Sequence, residues 1–378
     1  MNLFKPIVNI NRLHPLFKKI SSESTYKPTI KVINNWSKGL LGRKKEEIKF
    51  IKEFQTTFNS SFWEIYLNKA FIDLEFVLDY TKDSPDFHLK HISGRLVNVE
   101  AVTSNNRLNQ SEEYYSDKSI KEYAEIGGKD FLNQSTIKLA GKIKDKLDLF
   151  LGKDGKKHPY SSLEHVMGNP FVLAIAPFDN HLSLMQNNIA INRVLYGVEP
   201  PDENNLVSKI SNILNHNNNK IDLGLFTNSS HKEISAILFS TTGTFGKAVF
   251  ESGVSNIIRA TRYRQIDIDE FKTKEGMNKL GTEHTQVSEG HDIFSLRILA
   301  GDQVYGSDTF LYNSSEHVES HLDGLHVYYN PYAEIPLDKD LFSAYEITQN
   351  EYDIKTQEMI CTHNDGSLVS RQTFTKRD

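Results

Sequence analysis

Three acidic residues, Glu64, Asp86 and Glu100, stand out by type and spacing. Asp86 follows Pro85 at the start of a stretch read as a strand, and Glu100 lies near the end of the next, in NVEAVT. The two positions straddle Ser93-Gly94 almost symmetrically. A hairpin turning there pairs the strands antiparallel and brings the Asp86 and Glu100 ends together. Two carboxylates so placed could share one cation. Hard divalent ions such as Mg²⁺, or Mn²⁺ in its place, take one or two protein carboxylates and fill their other positions with water and substrate phosphate. A cation held there could activate water and stabilise charge on a leaving oxygen, which suits phosphodiester hydrolysis.

The elements that must position these groups follow from the hydrophobic periods. Asn59-Ser60-Ser61 reads as a helix start, and apolar groups at helical spacing continue to about Asp73, carrying Glu64. Strands are expected over Glu75–Tyr80, Asp86–Ile92 and Arg95–Thr103, with turns at Lys82-Asp83-Ser84-Pro85 and Ser93-Gly94. Residues 104–134 are polar and read as an insertion or mobile loop. Ser135 is the expected cap of a helix to about Leu151, with Ile137, Leu139, Ile143, Leu147 and Phe150 on its buried side. The apolar run Phe171–Ala176, bounded by prolines, predicts a central strand. A helix over about Leu182–Tyr196 and a strand over Glu233–Phe239 follow. Beyond about residue 285, alternating segments broken by Gly, Asn and Asp favour antiparallel hairpins. The division read from these patterns is an N-terminal appendage (1–55) with one helix near Lys44–Phe54, an α/β core (56–284) and a C-terminal β-rich region (285–378).

Glu64 in SFWEIYL, the dipeptide Pro85-Asp86 and Glu100 in NVEAVT, in this order of elements, resemble the motif set of the PD-(D/E)XK, restriction-endonuclease-like, nuclease superfamily. The resemblance covers roughly residues 60–180, and the FWE…PDF…EA version is similar to a group of uncharacterised bacterial proteins. It implies a mixed sheet flanked by helices, with Asp86 and Glu100 as metal ligands and Glu64 assisting or ligating. The pattern carries a Lys two residues after the second acid, where this chain has Val102. Family variants supply that Lys from a neighbouring helix, and Lys138, Lys142 and Lys146 recur on one face of the 135–151 helix. Lys146 is the preferred candidate, with Lys142 and Lys138 behind it. Thr103 and Gln134 could donate hydrogen bonds. The ordinary alternative leaves Asp86 as a turn or strand-edge residue, Glu100 exposed and Glu64 a first-turn helix acid.

Composition bounds these readings. The chain has 378 residues, 38% hydrophobic and 25% charged, enough for a packed core. Its net charge of −5 gives no global attraction to phosphate, so any nucleic-acid face must be local. Seven lysines between 137 and 158 supply one candidate stretch, though such a run is also what a solvated helix face looks like. MNLFKPIVNINRLHPLFKKI holds no signal-peptide core, and PFVLAIAPF is too short to span a bilayer, so a cytoplasmic protein without membrane partners is expected. One cysteine, Cys361, excludes an internal disulfide and a Cys-based zinc cluster, and reads as a buried strand thiol.

Two further motifs carry less. Residues 240–248 suggest a phosphate loop, but Thr241 and Ala248 stand where the P-loop needs Gly and Ser or Thr. Gly243 and Gly246 then read as turn glycines and Lys247 as a surface charge. HVESH (317–321) puts two histidines four apart, yet lacks the Glu beside the first that a zinc-protease helix requires, so surface histidines are expected there and at His326. The function expected is a metal-dependent nuclease acting on nucleic acid, DNA ahead of RNA, with a homodimer allowed. The alternative is a nuclease fold without catalysis, serving as a nucleic-acid-binding or assembly module.

Overall fold

The structure, a computed structural model, describes residues 2–42, 46–104, 121, 125–153, 155, 158–178, 185–200, 207–271, 280–300 and 303–375. It is mixed α/β, with a large mixed sheet flanked by helices. Much of the 104–134 insertion, and Lys156 and Lys157 of the lysine run, lie outside the described residues.

Among the described residues, the N-terminal segment holds three α-helices where one was expected: α1 (Pro15–Ser22), α2 (Lys27–Trp36) and α3 (Glu47–Thr56). Their apolar residues are few but well spaced, and Phe17, Ile20, Ile33, Trp36, Ile51 and Phe54 are all buried in the main core. Gln55 secures the chain start: its amide donates to the carbonyls of Leu3 and Lys5 and accepts from the Ile7 N–H. Helix α4 (Asn59–Asp73) follows at the expected place. It is apolar almost all round because it lies between those helices and the sheet, as a buried helix must. Trp63 also donates its indole N–H to the Ala174 carbonyl at 3.0 Å.

Strands β1 (Phe76–Leu78), β2 (Phe87–His91) and β3 (Leu96–Thr103) form the antiparallel start of the sheet. Gly94, at φ 85°, makes the β2–β3 turn in the left-handed region that glycine adopts without penalty. Helix α5 (Gly128–Leu151) begins earlier than expected. Ser135 is therefore not its cap; in mid-helix its hydroxyl donates to the Phe131 carbonyl at 2.9 Å. Strand β4 (Phe171–Ala176) lies parallel to β3 and is wholly buried. Helix α6 spans Ile189–Tyr196, and the start of the expected helix, 182–184, lies outside the described residues. The short hairpin β5 (Asn212–Leu214) and β6 (Lys220–Asp222) stands apart.

Strand β7 (Ala236–Ser240) pairs parallel with β4 and leads into α7 (Phe245–Glu251). A second, five-stranded antiparallel sheet is built from β8 (Ile257–Arg264), β9 (Gly281–Ser288), β10 (His291–Ala300) and β11 (Gln303–Asn313), together with the last strand of the chain. The chain then returns to the large sheet. Strand β12 (Leu325–Tyr329) pairs with β7, β13 (Thr348–Asp353) lies parallel to β12, and β14 (Glu358–Thr362) closes the edge. Finally β15 (Leu368–Phe374) rejoins the second sheet beside β8. The large sheet runs β1-β2-β3-β4-β7-β12-β13-β14.

Strand alternation divides the core. Val97, Val99, Val172 and Ala174 face the layer of α1–α4 and α7, while Val102, Leu173 and Ile175 face α5 and α6. Among the described residues no helix is long and apolar enough to cross a membrane.

Candidate active site

The β2–β3 register pairs Phe87 with Val99, so extending it by one residue sets Asp86 opposite Glu100. Phe87 and Leu89 face the α4 layer, which turns Asp86 to the other face. Glu100 shares that face with Val102, beneath α5. The Asp86 carboxylate accepts the Ala101 N–H at 2.8 Å, and the Asp86 N–H approaches Glu100 Oε2 at 3.4 Å. The pair is therefore tied through main chain on both sides. Glu100 is only 3% exposed, which rules out the exposed carboxylate of the ordinary alternative.

Helix α5 crosses this face and delivers Lys146, whose Nζ lies 2.5 Å from Glu100 Oε1. Lys142 and Lys138 lie one and two turns earlier on the same helix, both half-buried. Val102, two residues after Glu100, is packed under α5 with Leu139 and Ile143. Glu64 is half-buried on α4, across the sheet, and its charge reaches both Lys146 and Lys49. Thr103 is buried at the end of β3, and Gln134 is exposed on α5.

Burial, with Asp86 close by, pushes the Glu100 carboxyl up to about 7, against the opposing pull of Lys146. Burial alone would lower Lys146, but the charge and hydrogen bond of Glu100, with Asp86 and Glu64 beyond, raise it instead, so it stays an ammonium. Two carboxylates that repel, one of them desolvated, are a site that a cation would relieve.

Other groups at the site were not singled out in the sequence. Tyr160, in a 3₁₀ turn after α5, lies in the field of Glu100 and Asp86, and burial with those two charges pushes its phenol well up. Glu53 of α3 is within the field of Asp86, and burial raises its carboxyl. His165 bonds the Ser84 carbonyl at 2.7 Å. None of the three has a local motif, since each reaches the site from a distant stretch of chain.

The motifs set aside also find their places. Lys247 is not a surface charge: it is 2% exposed, ion-paired to Glu319 at 2.7 Å and bonded to the carbonyls of Ser320, His321 and Asp323. Gly243 and Gly246 serve close packing, since a Cβ at Gly243 would meet Trp63 and Tyr66, and one at Gly246 would meet Arg371. The HVESH segment is extended from His317, and His317, His321 and His326 are buried, not superficial. His317 and Arg371 both bind Glu319, while His321 bonds the Tyr66 carbonyl. Cys361 is exposed on the edge strand β14, not buried. Among the described residues, no group of three or more His, Cys, Asp or Glu side chains is arranged to hold a metal. A hard ion that takes two protein carboxylates remains compatible with Asp86 and Glu100.

Compared with protein-family models, curated proteins and solved structures, the chain matches none.

Proposed function

We propose that the protein is a divalent-metal-dependent nuclease with a PD-(D/E)XK-like core. The observation that carries this reading is Lys146, a lysine from a neighbouring helix, meeting Glu100 beside Asp86. The three side chains sit on one face at the end of a hairpin, the arrangement that the resemblance asks for. Asp86 and Glu100 would hold Mg²⁺ or Mn²⁺, with Glu64 adding negative field from α4. When bound, such an ion activates water and stabilises charge on a leaving oxygen. Lys146 stays cationic and would hold a phosphate oxygen or orient the attacking water. On this proposal the substrate is DNA ahead of RNA, the setting cytoplasmic, and a homodimer allowed.

The test is cleavage of duplex DNA, single-stranded DNA and RNA with Mg²⁺, Mn²⁺ or EDTA, comparing wild type with Asp86→Ala, Glu100→Ala and Lys146→Met. Metal-dependent cleavage by the wild type alone supports the assignment. Cleavage that survives both acid substitutions would sink it.

One observation favours a second reading. Val102 fills the motif position where the pattern carries a Lys, and Lys146 is ion-paired with Glu100 at 2.5 Å. A nucleic-acid-binding or assembly module on a nuclease fold would keep that closed pair. It would bind nucleic acid in a salt-sensitive way, because phosphate contacts release counterions, and cleave nothing with any metal.

A further inference from the structure

The acidic pair has a polar neighbour one step along the same face. In the β2–β3 ladder His88 is paired with Asn98, the next same-face pair after Asp86 and Glu100. His88 Nδ1 and Asn98 Oδ1 are 2.8 Å apart, and Asn98 Nδ2 donates to the His165 carbonyl at 3.2 Å. Asn169 donates to the same carbonyl, also at 3.2 Å. The His165 ring stands edge-on to His88, with centroids 5.2 Å apart, and its Nε2 reaches the Ser84 carbonyl at 2.7 Å.

The directions of these bonds follow from their partners. A carbonyl only accepts, so His165 carries its proton on Nε2 and donates to Ser84. Asn98 spends an amide hydrogen on the His165 carbonyl, so its oxygen faces His88, and His88 donates from Nδ1. Asn98 is fully buried, with no solvent to replace a lost partner. Ser84 and Pro85 lead directly into Asp86, and Pro85 has no N–H with which to anchor the turn. The His165 bond ties that stretch to the segment after α5.

We propose that His165 is a positioning residue: supported by Asn98 and His88, it clamps the Ser84–Asp86 turn so that Asp86 stays opposite Glu100. Its functional consequence rests on the nuclease reading; its geometric consequence does not. The Ala101 amide, which donates to the Asp86 carboxylate at 2.8 Å, reports the position of Asp86 with no metal and no turnover.

The experiment compares full-length wild type, His165→Leu and His165→Gln. Leu keeps bulk and removes the donor, whereas Gln offers an amide N–H near the position of Nε2. The first readout is the Ala101 amide resonance in ¹⁵N-alanine-labelled protein. It should move upfield in the Leu variant, as the carboxylate bond is lost, and return in the Gln variant while both keep the same thermal midpoint. An Ala101 resonance unmoved by Leu, or moved equally by Leu and Gln, would overturn the clamp. The second readout is Mn²⁺ binding followed by electron paramagnetic resonance, where Leu should weaken affinity about tenfold and Gln restore it. Wild type that binds no Mn²⁺ and cleaves nothing defeats the nuclease reading, while the Ala101 resonance still decides the clamp.

Discussion

Glu100 is the residue at which chemistry and stability meet. Its carboxyl is raised to about 7, by burial first and Asp86 second, against an ordinary value of 4.5. A raised acid contributes stability that is full below the unfolded value and is lost as pH rises through the folded one. Without divalent metal, the Glu100 contribution should therefore be lost between about pH 5 and 8, by on the order of 3 kcal/mol at most. Because buried His317, His321 and His326 also change stability over that range, the readout is a difference: wild-type urea midpoints should fall relative to those of Glu100→Gln as pH rises, and regain that difference on adding Mn²⁺. A wild-type profile that runs parallel to the variant's would contradict the raised carboxyl. On the proposed nuclease reading, Lys146→Met should leave DNA binding within a few-fold and cut metal-dependent cleavage by about 100-fold or more, the usual cost of removing a preorganised electrostatic group. Single-turnover cleavage under saturating protein measures this directly.

Among the elements, the N-terminal helices were the least legible. Their hydrophobic residues are sparse and each helix is short, so no period stands out from the polar background between Asn9 and Lys52. The structure orders them by burying isolated large side chains such as Phe17, Trp36 and Phe54 against α4. Gln55 shows how this depends on tertiary contact: fully buried, it serves two carbonyls and one N–H from residues 3–7. Gln55→Leu should cost about 1–3 kcal/mol by leaving those main-chain groups unpaired, measured by urea denaturation. Loss of less than a few tenths would mean that water replaces the amide. By contrast, α4, β2, β3 and β4 were legible almost to the residue, because each carries an unbroken helical or strand period ended by a turn or proline. Helix α5 was legible at its end but not its start, since Ser135 bonds backward along an existing helix as readily as it caps one.

At the scale of the molecule, a buried charge cluster joins the two sheets. Glu319 is fully buried and accepts from Lys247 of α7, Arg371 of β15 and His317. Burial alone would raise the Glu319 carboxyl, yet Arg371, Lys247 and the His317 hydrogen bond overcome it and hold the group well below the usual range. A depressed acid contributes stability above its unfolded value that is lost as pH falls toward the folded one. The cluster should thus resist acid until well below pH 4.5. Glu319→Gln leaves two cations buried without a counter-charge and should cost about 3–5 kcal/mol, read from denaturant midpoints at pH 7. The same variant should lose the acid-sensitive part of the wild-type profile. A cost below about 1 kcal/mol would show that water enters the cluster.

The sequence by itself determined the local elements around the acids and the meeting of Asp86 with Glu100, because a hairpin needs only strand periods and a turn at Ser93-Gly94 to set its register. Helical spacing also placed Lys146 among three candidates on one face. Only the tertiary structure decided that Lys146, and not a side chain at position 102, meets Glu100, and that Tyr160, Glu53 and His165 surround the pair. The same holds for Lys247 and His321, whose burial was invisible because their partners, Glu319 and the Tyr66 carbonyl of α4, lie on distant stretches of the chain. Period and turn chemistry act over a few residues, whereas which faces are brought together, and which charges are thereby desolvated, is fixed by how distant elements cross.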